Sequence, residues 1–183
     1  MYQIKDITEI KSGVFCKSNP LGDIRLLQAT DYALKGELKD MAENTTRVLF
    51  EPKFEKHILK DGDILLASKG VNIYSVVYRQ KELPAIASSS FFVINVINPE
   101  VVLPEFISWF LNTQEVIDSL KAKSKGTAIQ SINKPVVEDI ILKIPSIKQQ
   151  KLIIEISNLL KQEKKINEKI SNLKQQLLIG TVR

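Results

Sequence analysis

The sequence is short of the residues that most catalytic chemistry needs. Of its 183 residues, one is cysteine (Cys16) and one is histidine (His57). A lone thiol forms no internal disulfide, and these two residues have no zinc-ligand spacing, so neither thiol nor metal chemistry is expected. No apolar run approaches the ~18 residues of a membrane span; the segment SSSFFVINVI (88–97) stops far short. The opening MYQIKDITEIKSG interleaves charges with apolar residues and lacks the apolar block and small-residue cleavage site of a secretory signal. A cytoplasmic address is the expectation.

Loops that bind cofactors are equally scarce. The segment SKGTAIQSINKP (124–135) has one glycine and follows a helical pattern, whereas a phosphate-binding loop of nucleotide hydrolases needs two spaced glycines, then Lys and Ser/Thr, between a strand and a helix. The Asn-Pro pairs at Asn19 and Asn98 lack the following residues of an amino-methyltransferase motif. Glu51, Pro52 and Lys53 match the Glu-x-Lys element of metal-dependent nucleases over three residues, with no Pro-Asp partner ahead of it. His57, with Asp63 and Ser68 nearby in sequence, has no nucleophile-elbow context and reads as a turn or surface residue. The expectation is a chain without catalysis or cofactor of its own.

Positive charge is present but unevenly placed. The net charge is +5. From Met1 to Asp139 there are 17 Lys+Arg against 18 Asp+Glu, and from Ile140 to Arg183 there are 9 against 3. Binding of nucleic acid by the first part must therefore rest on local clusters rather than on overall charge.

Periodicity divides the chain at about residue 145. The first 100 residues read mostly as strands and turns: a strand at Ile24 to Gln28, the turn signal Asp61-Gly62 before a short apolar run, and VNIYSVVYR and SSSFFVINVI rich in β-branched and aromatic residues. The segment 39–60 fits a short helix or an extended loop. The spacing then predicts one helix with Phe106, Trp109, Phe110, Ile117 and Leu120 on one face, Pro104 in its first turn, Gly126 beyond its lysine-rich end. VVEDIILKIPS reads as a strand ended by Pro145. Ser146 and Gln149 form a capping-box pattern that should open a long helix. Within it Leu152, Ile156, Leu159, Glu163, Ile166, Ile170, Leu173 and Leu177 are spaced alternately four and three apart, a heptad seam with one polar position. From Ile147 to Ile179 such a helix is a rod of roughly 50 Å, too long for so small a body to cover, so the seam asks for a second helix. The expected class is α+β, with residues 1–145 as a β-rich domain with packed helices and 146–183 as a long coiled-coil helix.

The ordered set ITEIKSG, LKDGDILLASKG, PAIASSSFFVINV, LPEFISWFLNTQ and SKGTAIQSINKPVVEDIILKIPSIKQQKLI resembles the target recognition domain of Type I restriction-modification specificity subunits, from about Ile7 to Leu178. Members of that family usually carry two recognition domains, each followed by a spacer helix, the two helices packed antiparallel; this chain resembles half of one. The resemblance implies double-stranded DNA as partner, methyltransferase subunits docked on the specificity subunit, and motor-nuclease subunits in the complete restriction complex. Methyl donor and ATP then belong to those partners. A homodimer would supply the second helix, and two identical domains would read a palindromic, interrupted site.

Polar loops between the strands supply the candidate DNA contacts, because backbone positioning uses Lys, Arg and hydroxyls while base edges are read by Arg, Lys, Asn and Gln. They are Lys11, Ser12, Lys17, Arg25, Gln28, Thr30, Lys69, Asn72, Tyr74 and Arg79, with Lys123, Lys125 and Thr127 as phosphate contacts. In that last loop Gly126 fits a helix cap and Gln130 and Asn133 fit a brace better than base reading. Lys161, Lys164, Lys165, Lys169 and Lys174 fit solvation of a long helix, with DNA tracking or methyltransferase docking as rival uses. Leu152, Ile156, Leu159, Ile166, Ile170, Leu173 and Leu177 are the candidate dimer interface. Two other readings stay open: a DNA-recognition subunit of a different defence system, and a helical protein-interaction module that binds no DNA.

Overall fold

A computed structural model describes residues 1–32, 46–70, 72–80, 83–124 and 131–180. The chain starts with strand β1 (Tyr2–Gln3), a single turn α1 (Ile4–Ile7) and strand β2 (Thr8–Ser12). Strands β3 (Ile24–Leu27), β4 (Arg47–Val48), β5 (Ile64–Ala67), β6 (Ser75–Val77), β7 (Ala85–Ala87) and β8 (Phe91–Val96) follow, with 3-10 turns at Ala29–Asp31 and Pro52–His57. Helices α2 (Pro104–Leu111), α3 (Gln114–Lys123) and α4 (Lys134–Glu138), strand β9 (Ile141–Leu142) and the long helix α5 (Ile147–Gly180) complete the order.

The main sheet runs β2-β8-β5-β6, antiparallel throughout, and a smaller sheet runs β4-β3-β7 with β3 and β7 parallel. Strand β5 explains the layering. All four of its residues are buried, as expected only where both faces of a strand are covered. Ile64 and Leu66 join Ile94, Phe106, Ile107 and Leu120 in the cluster beneath the helices. Leu65 and Ala67 point the other way, to Leu27, Ala85 and Phe91. The Asp61-Gly62 turn forms as read, with Gly62 at φ 90, a backbone region that favours glycine. Gly13 serves close approach instead: a Cβ there would lie 2.1 Å from the Ser88 carbonyl oxygen.

Two expectations fail for identifiable reasons. The single helix expected over 104–123 is two, broken at Asn112 and Thr113. The Asn112 side chain turns to the edge strand β6, accepting from the Ser75 N–H at 2.8 Å and donating to the Ser75 carbonyl at 2.7 Å. It stands in for a neighbouring strand and covers the open edge of the main sheet. The strand expected at 136–144 begins instead inside helix α4, because Pro135 pre-sets its first turn and Lys134 pairs with Glu138 one turn on, leaving only β9 to pair with β1.

The capping box forms: the Ser146 N–H donates to Gln149 Oε1 at 3.1 Å and the Gln149 N–H to Ser146 Oγ at 3.4 Å. Helix α5 then runs for 34 residues, roughly 50 Å. Its root packs on the body, through α2 and through Ile153 and Ile154, which join the main core. No helix among the described residues is long and apolar enough to cross a membrane.

Candidate nucleic-acid interface and helix seam

Strand direction gathers the polar loops at one end of the body. Strands β2, β3, β5 and β7 all terminate where β8 begins: Ser12 pairs with Phe92, Ala67 with Phe91, and Leu27 with Ala87. Beyond these pairs lie Gln28, Lys69, Asn72 and the turn Ser88 to Ser90. Hydrogen bonds tie them together: the Ser68 hydroxyl donates to the Ser90 carbonyl, the Ser88 N–H to the Leu27 carbonyl, and the Ile132 N–H to the Ser68 carbonyl. A bridge between Lys69 and Ser131 brings the segment after α3 to the same end. Ser12, Thr30, Lys69 and Asn72 are exposed there. Gln28 is half-buried and donates to the Thr46 hydroxyl at 3.0 Å.

Lys11 lies beside this end in a cleft of about 580 Å³ that it lines with Glu9, Lys56, His57, Lys60 and Asp63. Burial, then Lys56 and Lys11, push His57 below its usual range, so it is neutral at pH 7. Asp63 is pushed up by burial against the opposing pull of the Lys60 N–H and Asn95, both of which donate to it. The cleft thus mixes charges of both signs and holds no concentrated positive field. Lys123 is exposed at the end of α3, where a cation suits the negative end of the helix dipole. Lys125, Gly126, Thr127 and Gln130 lie outside the described residues. Asn133 precedes α4 in extended conformation without bonding its side chain to the helix end.

Three candidate contacts are already engaged within the body. Tyr74 is 4% exposed, donates its hydroxyl to the Ala29 carbonyl at 2.7 Å and packs edge-on against Phe91; it is a core residue. Arg25 is 8% exposed on β3 rather than in a loop, and its Nε has no partner. Arg79 lies at the opposite end of the main sheet, where its guanidinium pairs with Asp61 at 2.8 Å and with Glu105. Its charge is spent on tying a turn to α2.

One surface feature carried too little sequence signal to be singled out. Phe15 and Leu21 are 83% and 87% exposed, and Leu49 and Phe50 are half-exposed. The Asn19 N–H donates to the Arg47 carbonyl and the Phe50 N–H to Asp23, which ties the loop 15–23 to 47–50 and brings Phe15 and Leu49 to one shallow cleft with Lys17 and Lys53. Phe15 and Leu49 are 34 residues apart in sequence, and only the fold brings them together.

The helix carries the other candidate surface. Gln150, Ile153, Ile154 and Ser157 face the body, and every residue from Asn158 to Ile179 is exposed. At about 100° per residue, the seam Leu152, Ile156, Leu159, Ile166, Ile170, Leu173 and Leu177 lies on the side opposite that docking face. All seven seam residues are 44% exposed or more.

Residues 1–175 match the Type I restriction modification DNA specificity domain. Among solved structures, the fold is similar to a Type I restriction-modification S subunit from M. genitalium (TM-score 0.57, 18% identity, 88% of this chain and 38% of that one). It is similar also to the HsdS subunit from Thermoanaerobacter tengcongensis (TM-score 0.56, 12% identity, 88% and 36%). A third structure, from work on complex assembly and conformational transition of the type I R-M system, gives a TM-score of 0.59 at 12% identity, over 88% and 37%. This chain thus spans well under half the length of those proteins. No curated protein matches it. With its family profile spanning nearly the whole sequence and its fold shared with these subunits, the chain belongs to the Type I restriction modification DNA specificity domain family.

Proposed function

We propose that the chain works in the cytoplasm as a half-length specificity subunit: two copies pair through the α5 seam, and each body, residues 1–145, reads one half of a split palindromic DNA site. The chain has no catalysis of its own in this reading. It recruits methyltransferase subunits, and through them motor-nuclease subunits, to the bound site. The single observation that carries the reading is the seam, an apolar stripe on a projecting helix that faces away from its own body. Burying one such side chain is worth about 1.5–3 kcal/mol, so a seam of seven strongly favours a partner helix of the same pattern, and a second copy offers one.

In this reading Ser12, Lys69, Asn72 and Thr30 at the polar end position the duplex, with Lys11, Lys17 and Lys123 as further phosphate contacts. Phosphate contacts from these lysines give an affinity that falls with salt. The test is solution mass by light scattering, for the wild type and for the triple variant Ile156→Asp, Ile166→Asp, Ile170→Asp. A dimer that the substitutions dissolve, with DNA binding weakened by at least ~10-fold through loss of the second half-site, is the expected result. A wild-type monomer would end the homodimer reading and point to a distinct partner half.

A further inference from the structure

The root of α5 contains a polar joint that the seam and the DNA contacts leave unexplained. Gln150 is 0% exposed. Its Oε1 accepts from the Leu103 N–H at 2.9 Å, and its Nε2 donates to the Val101 carbonyl at 2.9 Å and the Pro145 carbonyl at 2.8 Å. Both amide hydrogens and the carbonyl are therefore used, on groups from two separate segments: the loop leading into α2 and the residue just ahead of α5. Apolar packing from Ile153 and Ile154 holds the helix against the body but resists sliding and rotation weakly, because it is non-directional. Two hydrogen bonds in fixed directions to the α2 loop, with the bond to Pro145 holding the amide itself, define one angle and one rotation at a fully buried side chain.

The geometry points to Gln150 as the positioning residue that sets the angle between helix and body, and with it the gap between half-sites that the paired subunit accepts. This inference rests on the split-site reading above. Magnitude makes the case. From Asn158 to Ile179 the helix projects by roughly 33 Å, so a swing of about 10° at the root moves its tip by roughly 6 Å, close to two base-pair steps. A joint of packed aliphatic side chains alone would blur the gap by that amount. Rotation matters equally, since the seam must stay opposite the docking face for both bodies to meet the same duplex.

The test uses the full chain with Gln150→Met, which keeps the volume and removes all three bonds, and Ile107→Val as a control that loosens the neighbouring core and removes none of the three bonds. Spin labels on the native Cys16 and on Ser171→Cys, diluted with unlabelled protein so that only distances within one chain are read, report the angle. Gap preference is measured on unlabelled protein with duplexes carrying inverted half-sites at stepped spacings. The wild type and Ile107→Val should give one narrow distance distribution and a preference of roughly tenfold for one spacing. Gln150→Met should broaden the distribution at least about twofold and flatten the preference to under about threefold, with helix content unchanged.

An unaltered distance distribution in Gln150→Met overturns the proposal. Should that variant fail to fold, hydrogen exchange of the wild type decides: the Leu103 amide must be protected far beyond the exposed Glu100 amide, and comparable rates overturn the joint. A wild type with a narrow distribution but no preference among spacings removes the split-site reading and the gap-setting role built on it, while leaving the joint itself standing.

Discussion

Ile64 and Ile166 are the same side chain in opposite circumstances. Ile64, in β5, is 0% exposed among Ile94, Phe106 and Ile107. Ile166, on α5, is 59% exposed within a stretch, Asn158 to Ile179, that is exposed throughout. Ile64 is used within the body's own core, while Ile166 is left for another surface. Substitutions at the two sites should therefore fail in different currencies, one in folding and one in association. The largest effect is expected from Ile64→Ala, which opens a cavity between sheet and helices. A loss of about 2–5 kcal/mol in urea unfolding is expected, with the solution mass of the folded protein unchanged. A fall in mass at native conditions would mean that body and helix are not independent, and the contrast would break.

A change on the helix sharpens the same contrast. Glu163 is the one polar position in a seam otherwise of leucine and isoleucine, and a polar residue at such a position costs stability while limiting the registers that can pair. It lies near the middle of the seam, between Leu159 and Ile166. In an antiparallel pair centred there, two Glu163 carboxylates approach each other across the axis. Glu163→Leu should therefore tighten self-association by roughly tenfold, read by sedimentation equilibrium, while the melting of a body probe such as Trp109 stays put. Looser association would place the seam in a different register, with Glu163 paired to a lysine.

What was legible in the sequence follows the same division. Helix α5, its capping box at Ser146 and its seam were readable because period and cap are local properties that nothing in the body overrides. Strands β5, β6 and β8 were readable from their β-branched and aromatic residues. The break at Asn112 was not, because its cause is a side chain that pairs with Ser75, 37 residues away. Helix α4 was hidden by two valines that favour strands on their own and were overruled by Pro135 and by packing. Candidate contacts were the least legible. A polar or aromatic residue in a loop-like stretch looks the same in sequence whether it is exposed like Asn72, buried like Tyr74 or already paired like Arg79. Gln150 carried no signal beyond its place after the cap.

Arg79 gives the smallest expected effect and the cleanest check on which end of the body meets DNA. Its guanidinium is held by Asp61 and Glu105, at the end of the main sheet away from Ser12, Lys69 and Asn72. Arg79→Ala should leave DNA affinity within about twofold, since no free charge is lost, and lower the melting temperature by less than about 4 °C, as exposed ion pairs do. Asp61 is held below its usual range, first by the Gln80 N–H and then by Arg79. A depressed carboxylate stabilises the fold above its unfolded pKa and loses that contribution as pH falls through the folded value. The gap between wild type and variant should accordingly be full at pH 7, shrink below about pH 4, and narrow with added salt. A tenfold drop in DNA affinity would instead mean that the guanidinium leaves its carboxylates for phosphate, and that the duplex reaches the Asp61 end of the body.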